Sequence, residues 1–513
     1  MGVIARQSIK GALANYLGVA IGFVITFFVI TRYLTEEEVG LTRVMVDAAM
    51  LFSCLAQLGT NASIVRFFPH FKSREGATLH HGFFGLAMLL PLAGFALVGG
   101  LLLVFHEPLV AAYSAKSPLV ADYFYLLPML TFFALYTTVF ETGASVLMRI
   151  TVPKMVREVG IRVFNLAAYL LYGYGVVTLD GFVWMFCGSY GAAMVLNFCY
   201  LVATARKERP GVPLFKVDWS FLTRERVKEI GRYTLFMTAT VLAGNMPLIN
   251  SLFLGVKAGA ALTGVYAIAS YVANVVEVPY RSLGAISRPV VAAAVKEGDW
   301  GEVNRLGREV SLHQMLVSLA ILLIIWINLD TLYAFIPNGA SYAGGAGVVL
   351  VLGLAKVVNS SFSVGTDVLN YSRHYAKALA FIAVLTVSAV GLNTWLIGLW
   401  GIDGAAAATL FSYMLYYACL LTFLHVRVRV SLFSTGQLKT VALMAAAMAV
   451  ATGWKALLTP ILAGGGSTAG LLADALLKTL VVGGLLAAGV YGWRVSPTLN
   501  GMMKQAGNKK TNI

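Results

Sequence analysis

The chain has few charged residues. Of its 513 residues only 12% are Asp, Glu, Lys or Arg, whereas soluble domains carry about 25%. Hydrophobic residues make up 59%, and apolar runs recur from one end of the sequence to the other without a long polar block between them. This balance excludes a soluble enzyme and predicts a protein that lies mostly in lipid.

Cysteines and catalytic motifs are also scarce. The four cysteines lie inside apolar stretches and form neither a CxxC motif nor a Cys/His cluster, so we expect no disulfide and no bound metal. The sequence contains no Walker loop, no GxSxG and no HExxH, and its seven histidines lie mostly at the ends of apolar segments. We therefore expect a protein that is not an enzyme and that needs no cofactor.

Apolar segments long enough to cross a bilayer dominate what is present. A spanning helix needs about 20 mainly apolar residues. The sequence predicts an all-α polytopic membrane protein with about fourteen such helices, at 9–33, 41–68, 81–105, 120–148, 158–179, 181–204, 231–255, 261–290, 310–328, 346–371, 375–399, 402–425, 438–459 and 470–493.

The basic residues are distributed unequally between the two sides of these segments. The chain has 38 Lys and Arg against 23 Asp and Glu, a net charge of +15. Twenty-eight of the 38 fall on the side that carries both termini and only five fall on the opposite side. Because cytoplasmic loops are enriched in Lys and Arg, both termini are predicted to be cytoplasmic, and the positive charge requires no nucleic-acid partner.

The order of the segments predicts a duplicated unit. A charged segment at 206–230 separates an N-terminal six-helix lobe, 1–205, from a C-terminal six-helix lobe, 231–427; two further helices and a cytoplasmic tail occupy 428–513. Because six is even, both lobes enter the membrane from the same side, so the pseudo-repeats are parallel. We expect them to enclose a central cavity.

Polar residues inside the eighth segment form the first candidate site. Asn274, Glu277 and Arg281 share one helical face, and Glu277 and Arg281 have the i, i+4 spacing of an ion pair. Pro279 lies between them and is expected to kink the helix. The pair is either a structural clamp between helices or part of a binding or gating site.

Three other segments carry polar stripes. Lys356 and Asp367 lie three helical turns apart on one face of the tenth segment. The seventh segment carries Asn245, and the second carries Asp47. Intramembrane charges usually face a protein interior or a watery cavity, so these residues are candidates for one shared cavity.

Three further charged candidates, Arg66, Arg162 and Glu141, each have two interpretations. Arg66 and Arg162 lie near cytoplasmic ends, where they either extend to the interface or contact substrate. Glu141 has no basic residue one turn away, so it is either protonated or paired with another helix. Asp474 and Lys478 have the spacing of an i, i+4 pair, and we interpret them as structural.

Two stretches resemble a known family. Residues 392–413, LNTWLIGLWGIDGAAAATLFSY, resemble the junction between the eleventh and twelfth helices of polysaccharide flippases. The turn at 32–41 is similar to the first hairpin of the same group, although Thr35 stands where glycine is usual. With the fourteen predicted spans, the likeness covers nearly the whole chain. It points to the oligosaccharide flippase branch of the multidrug/oligosaccharidyl-lipid/polysaccharide exporter superfamily.

The resemblance implies a function. Members of the family move an undecaprenyl-pyrophosphate-linked oligosaccharide across the bacterial inner membrane by alternating access, for surface polysaccharide or lipopolysaccharide biosynthesis. The implied partners are the lipid-linked oligosaccharide, the bilayer and a polysaccharide polymerase complex. Such an anionic substrate needs cationic and polar contacts, for which the candidates are Arg281, Lys356, Arg66, Arg162, Asn274 and Asn245.

The resemblance also implies coupling to an H⁺ or Na⁺ gradient without ATP. The candidates for coupling or gating are Glu277, Asp367, Glu141 and Asp47. Two alternatives belong to the same superfamily: a multidrug or organic-cation antiporter and a lipid-linked peptidoglycan precursor flippase. A non-transporting scaffold and a membrane-embedded glycosyltransferase are alternatives from other classes, although the short outer loops disfavour the latter.

Overall fold

The computed structural model of the chain is built from helices. It describes residues 17–73, 78–208, 210–244, 248–462 and 468–496, without the side chains of residues 235, 236, 239–244, 281, 282, 285 and 286. Within these described residues there is no β-strand.

Seventeen helices form the body of the described chain. They are α1 Leu17–Tyr33, α2 Glu36–Ala56, α3 Thr60–Phe71, α4 Phe83–Val104, α5 His106–Ser114, α6 Leu127–Val146, α7 Ile161–Gly173, α8 Leu179–Glu208, α9 Arg224–Gly244, α10 Ile249–Lys257, α11 Ala260–Asn274, α12 Val278–Glu297, α13 Trp300–Ile327, α14 Ala346–Tyr371, α15 Ala378–Phe423, α16 Thr435–Leu457 and α17 Thr468–Gly492. Shorter helical turns lie at Leu79–Gly82, Pro118–Asp122, Phe124–Leu126, Thr151–Met155, Val156–Gly160, Val275–Glu277, Leu329–Phe335, Gly339–Tyr342, Ala343–Gly345, Tyr375–Lys377, Leu424–Val428 and Thr459–Leu462.

The predicted fold class, an all-α polytopic membrane protein, is confirmed. In the described part of the chain, ten helices are long and apolar enough to cross a membrane, and Leu17–Tyr33 is a shorter apolar helix. The longest of the ten, Tyr375–Val428, contains two predicted segments, which separate at Gly401 with a φ of 57°. In the described residues each of the fourteen predicted segments contains helix, but 41–68 divides between α2 and α3, and 231–255 divides between α9 and α10.

Local breaks in the helices follow from the sequence. Thr35 and Glu38 form a capping box that fixes the start of α2. Between α11 and α12 the chain forms the 3₁₀ turn Val275–Glu277, and Pro279 then occupies the first turn of α12. Proline is tolerated there because the first turn of a helix needs no backbone donor from that residue. The break therefore places Glu277 at a helix junction.

The chain forms two compact units, residues 1–267 and 268–513. In the first unit α2 packs on α4 and α6, α6 packs on α8, and α3 packs on α9. In the second unit α14 lies against α13 and α15, while α16 packs on α13 and α17. The division falls within α11, beyond the 206–230 segment that separates the predicted lobes. The lobes and the cavity between them stay predictions, since they rest on the order of the spans.

Candidate functional site

A buried ion pair in the second unit joins α14 to the helix break before α12. Lys356 Nζ lies 3.4 Å from Glu277 Oε2, and the two side chains are 10% and 11% exposed. Glu277 reaches Lys356 because it is the last residue of the 3₁₀ turn that packs on α14. The ion pair described for Glu277 is therefore with α14. The side chain of Arg281, its predicted partner, lies outside the described residues.

Two further side chains extend this pair into a small network. Asn359 Nδ2 donates to Glu277 Oε1 at 2.9 Å, and Tyr417 Oη donates to Asn359 Oδ1 at 2.8 Å. Lys356 and Asn359 lie one turn apart on α14, so one helical face presents both groups to the same carboxylate. We call Glu277, Lys356, Asn359 and Tyr417 the central network. The sequence did not indicate Tyr417 as a site residue, because a tyrosine in an apolar segment carries no charge.

The energetic cost of the central network is what makes it a candidate site. Removing a carboxylate and an ammonium from water costs several kcal/mol per ion, and their attraction compensates only when the geometry is good and the remaining polar atoms are bonded. In the network both carboxylate oxygens of Glu277 have a donor. Lys356 has three donors for its one described acidic partner. An anion can therefore compete with Glu277 for Lys356.

Asp367 belongs to a separate pair. Its Oδ2 lies 3.5 Å from Arg288 Nε, and Arg288 Nη2 donates to Tyr280 Oη at 2.8 Å. The polar stripe predicted on α14 thus divides into two ion pairs, each with a partner from the segment between α11 and the end of α12. The sequence placed Lys356 and Asp367 on one face but could not identify either partner.

Asp47 is held within the first unit. Arg43 Nε donates to Asp47 Oδ2 at 2.6 Å along α2, and Ser251 Oγ of α10 donates to the same oxygen at 2.6 Å. The Asp47 side chain is only 6% exposed. A hydrogen bond to a charged acceptor is stronger than one between neutral groups, so this contact ties α10 to α2.

Glu141 is paired with a neighbouring helical segment. Its Oε2 accepts a hydrogen bond from Arg157 Nη1 at 2.7 Å, in agreement with the second of its two predicted alternatives. Arg157 Nη2 also lies 3.2 Å from Glu158, whose other oxygen lies 3.7 Å from Arg162. Two arginines and two glutamates thus form a chain of ion pairs in the first unit.

The other predicted residues differ in their surroundings. Arg66 is half exposed, lies 3.9 Å from Glu229, and stacks its guanidinium 4.3 Å from the centre of the Tyr233 ring. Asn274 is half-buried at the end of α11. Asn245 lies outside the described residues. Within the second unit the Asp367 pair shares no residue with the central network, and within the first unit the pairs of Asp47 and Glu141 share no residue with each other.

Among the residues that the structure describes, no group of three or more His, Cys, Asp or Glu side chains could hold a metal ion. The four cysteines are free.

Comparison with known proteins places the chain in a family. The sequence profile described as polysaccharide biosynthesis protein matches residues 4–292, more than half of the chain. The chain belongs to this family. The predicted resemblance is thereby confirmed. No curated protein sequence matches the chain significantly.

Solved structures of several transporters share the fold. The chain is similar to the lipid II flippase MurJ in an inward closed conformation, with a TM-score of 0.68, 11% identity, and coverage of 95% of this chain and 100% of that one. An inward-facing multidrug resistance MATE family transporter of the MOP superfamily gives a TM-score of 0.62 at 17% identity, covering 84% and 98% of the two chains. A mutant of the Vibrio cholerae MATE transporter VcmN gives 0.54 at 14% identity, covering 83% and 98%. This polysaccharide biosynthesis family member therefore has the fold of MurJ and the MATE transporters.

Proposed function

We propose that the chain is a flippase that moves an undecaprenyl-pyrophosphate-linked oligosaccharide from the inner to the outer leaflet of a bacterial inner membrane. The proposal places both termini in the cytoplasm, as the distribution of basic residues indicates. Membership of the polysaccharide biosynthesis family supports a role in polysaccharide assembly, and the fold shared with a lipid II flippase supports transport of a lipid-linked substrate. Alternating access between the two predicted lobes would carry the head group.

The observation that carries the proposal is the buried Lys356–Glu277 pair. A pyrophosphate offers several oxygens with high negative charge, so it competes for the ammonium of Lys356 more effectively than a single carboxylate does. Exchange of Glu277 for a phosphate oxygen keeps the lysine paired. In both the empty and the loaded state a negatively charged oxygen then offsets the desolvation cost of the Lys356 ammonium.

The same pair suggests how an ion gradient could drive the cycle. A proton from the aqueous phase that binds the Glu277 carboxylate neutralises it and releases Lys356, which is then free for the substrate anion. Loss of that proton restores the carboxylate, which displaces the anion from Lys356. We propose Glu277 as the coupling group on this basis, ahead of Asp47, Glu141 and Asp367, because none of these three contacts Lys356 among the described ion pairs.

Leaflet-resolved labelling of lipid-linked oligosaccharide tests the proposal. In cells depleted of the protein, the substrate should accumulate in the cytoplasmic leaflet, and a wild-type copy should reverse the accumulation. Lys356→Gln should fail to reverse it, whereas Lys356→Arg should retain part of the activity because the cation is kept.

A second buried lysine provides the matched control. Lys478 Nζ lies 3.1 Å from Asp474 Oδ2 in α17, and these side chains are 4% and 1% exposed. The double variant Asp474→Asn/Lys478→Gln removes a buried ion pair outside the predicted lobes and should still restore export. Accumulation of lipid-linked peptidoglycan precursor, or altered drug sensitivity with an unchanged leaflet distribution, would move the chain to the corresponding alternative branch.

A further inference from the structure

An apolar groove runs along α9 in the first unit. Its α9 wall is a stripe of Val227, Gly231, Thr234 and Thr238, and its opposite wall includes Leu86 and Leu90 of α4. The groove is open on one side, and the space in it, including open solvent, is about 860 Å³. Both threonine hydroxyls are engaged elsewhere, Thr234 with Ser63 at 2.7 Å and Thr238 with the Thr234 carbonyl at 2.9 Å. The groove therefore presents a nearly continuous hydrocarbon surface.

The groove is about as long as one leaflet of a bilayer is thick. Its first turn, from Val227 to Ile230, belongs to the 206–230 segment, and the rest lies in the predicted seventh span. From Val227 to Thr238 an α-helix rises about 16 Å. Half of the hydrocarbon core of a bilayer measures about 15 Å. A single acyl chain of a phospholipid can therefore lie along the whole groove, whereas a much longer prenyl chain would extend beyond it.

Basic residues stand at one end of the groove. Arg224, the first residue of α9, precedes Val227 by three positions and so continues the groove stripe, and Lys228 lies one turn further along. Both are exposed. Arg226 is differently occupied, because its Nη1 donates to the Phe221 carbonyl at 2.8 Å and its guanidinium lies 4.1 Å from the Phe221 ring centre. The same turns carry Glu225 and Glu229, of which Glu229 lies 3.9 Å from Arg66. Among the described ion pairs neither Arg224 nor Lys228 has an acidic partner, and both lie in the first turns of α9, next to the positive end of the helix dipole.

Trp219 indicates where this entrance lies relative to the lipid head groups. It lines the same groove and is 68% exposed. Tryptophan favours the level of the lipid head groups, with its ring beside the chains and its indole N–H toward water. The tryptophan and the two cations therefore place a lipid head group at the start of α9.

We propose that this groove binds one anionic phospholipid, with an acyl chain along the α9 stripe and its phosphate held by Arg224 and Lys228. The lipid comes from the leaflet on the side of the 206–230 segment. Charge complementarity selects the head group, and the length of the groove selects an acyl chain. The inference does not depend on the transported substrate, because the groove lies within the first unit and shares no residue with the central network.

Quenching of Trp219 fluorescence tests the proposal. The full-length protein is reconstituted into phosphatidylcholine vesicles that contain an increasing fraction of brominated-chain phosphatidylglycerol or, in a parallel series, of brominated-chain phosphatidylcholine. The fluorescence of Trp219 is obtained as the difference in intensity between the wild-type protein and the Trp219→Phe variant. Because each basic residue contributes about fivefold to the attraction of an anionic lipid, half-maximal quenching should need about 25-fold less phosphatidylglycerol than phosphatidylcholine.

Two variants test the contributions of the groove and of its basic entrance separately. Gly231→Leu should abolish the tight quenching phase, since Gly231 lines the groove and a Cβ there has no atom within 4 Å, which leaves the added side chain room to extend into the groove. Arg224→Gln/Lys228→Gln should remove the preference for phosphatidylglycerol. Gly188→Leu, at another helical glycine with open space, and Arg206→Gln/Lys207→Gln, in the exposed basic end of α8, are the matched controls and should behave as wild type.

The contrary outcomes are distinct. Equal quenching by the two brominated lipids overturns the proposal and shows ordinary annular lipid at this surface. An unchanged phosphatidylglycerol preference in Gly231→Leu also overturns it, because the head group would then bind without the groove. Tight binding of undecaprenyl phosphate that phosphatidylglycerol cannot displace would assign the groove to a prenyl chain instead. The proposed flippase activity can fail or succeed independently, since it is read from Lys356 variants.

Discussion

Lys356 and Glu277 lie on separate helical elements, and their side chains meet with 3.4 Å between Nζ and Oε2 in the interior of the second unit. Asn359, one turn along the same helix as Lys356, donates to the other oxygen of Glu277. The carboxylate is therefore bound by two residues of α14 at once. Loss of either member of the ion pair leaves a buried charge without its partner.

The first prediction concerns the stability of this pair. Lys356→Gln should lower the free energy of unfolding by about 3–5 kcal/mol, because the Glu277 carboxylate then stays buried without a cation. The double variant Glu277→Gln/Lys356→Gln should recover most of that loss, since two amides can hydrogen-bond to each other. Thermal unfolding in detergent measures both. Export should remain absent in the double variant, which separates the function of the pair from its contribution to folding.

An equal loss of stability in the single and double variants would contradict this interpretation. It would mean that the packing of the lysine side chain, and not its charge, stabilises the junction between α14 and the Val275–Glu277 turn. Wild-type export in the double variant would remove Lys356 from the proposed substrate site.

The second prediction concerns a reciprocal glycine contact in the first unit. A Cβ on Gly40 of α2 would lie 1.8 Å from the Ala260 carbonyl oxygen, and a Cβ on Gly264 of α11 would lie 2.0 Å from the Glu36 oxygen. Because both obstacles are backbone atoms that cannot move aside as a flexible side chain can, Gly40→Ala should destabilise the protein by about 3 kcal/mol, the upper part of the usual range for over-packing. Gly231→Ala, with open space around it, should be neutral or stabilising by about 0.5–1 kcal/mol. Unfolding temperatures of the two variants give the comparison, and equal temperatures would show that α2 and α11 can separate freely.

The contrast between two lysines shows what the sequence could predict. The Asp474–Lys478 pair lies within one helix, and its i, i+4 spacing was sufficient to identify it. The partner of Lys356 lies on another element and depends on the packing of α14 against the Val275–Glu277 turn. Spacing along the chain carries no information about such packing. The residue type was therefore predictable, while the partner was not.

The helices were predictable for a different reason. Backbone groups inside a bilayer must be bonded within their own segment, so an apolar run of sufficient length has only one common structure. Breaks within a run are less visible. Pro279 indicated a kink, but the position of the 3₁₀ turn just before it depends on how Glu277 and Val276 pack. Gly401 separates two spans through a positive φ that glycine adopts without strain.

The third prediction concerns pH and the segment between α8 and α9. Hydrogen bonds from Ser220 and then from His81 lower the pKa of Asp218 below its ordinary value. A carboxyl whose folded pKa is depressed contributes stability above its unfolded pKa of about 3.9, and the contribution is lost as the pH falls through the lower folded value. The protection factors of the amides in residues 210–223, which correct the exchange rates for the intrinsic effect of pH, should therefore fall in that acidic window.

Two variants check the assignment to Asp218. Asp218→Asn should remove the acid-dependent change in hydrogen exchange. Ser220→Ala removes the largest cause of the depressed pKa and should move the change toward pH 4. A transition that persists unaltered in Asp218→Asn would contradict the assignment to Asp218.

The fourth prediction concerns the Glu141–Arg157 pair, whose two side chains differ in exposure. Arg157→Gln should destabilise the protein by about 1–3 kcal/mol, because the Glu141 side chain is only 14% exposed and loses its guanidinium partner. Glu141→Gln should cost less, since Arg157 is 38% exposed and keeps Glu158 at 3.2 Å. If unfolding measurements give equal losses of stability for the two variants, the two groups depend equally on each other and the exposure argument is wrong.

The export activity of a folded Glu141→Gln variant then tests ion coupling. Full activity assigns Glu141 to structure alone. Loss of activity in the folded protein assigns coupling to the first unit rather than to Glu277.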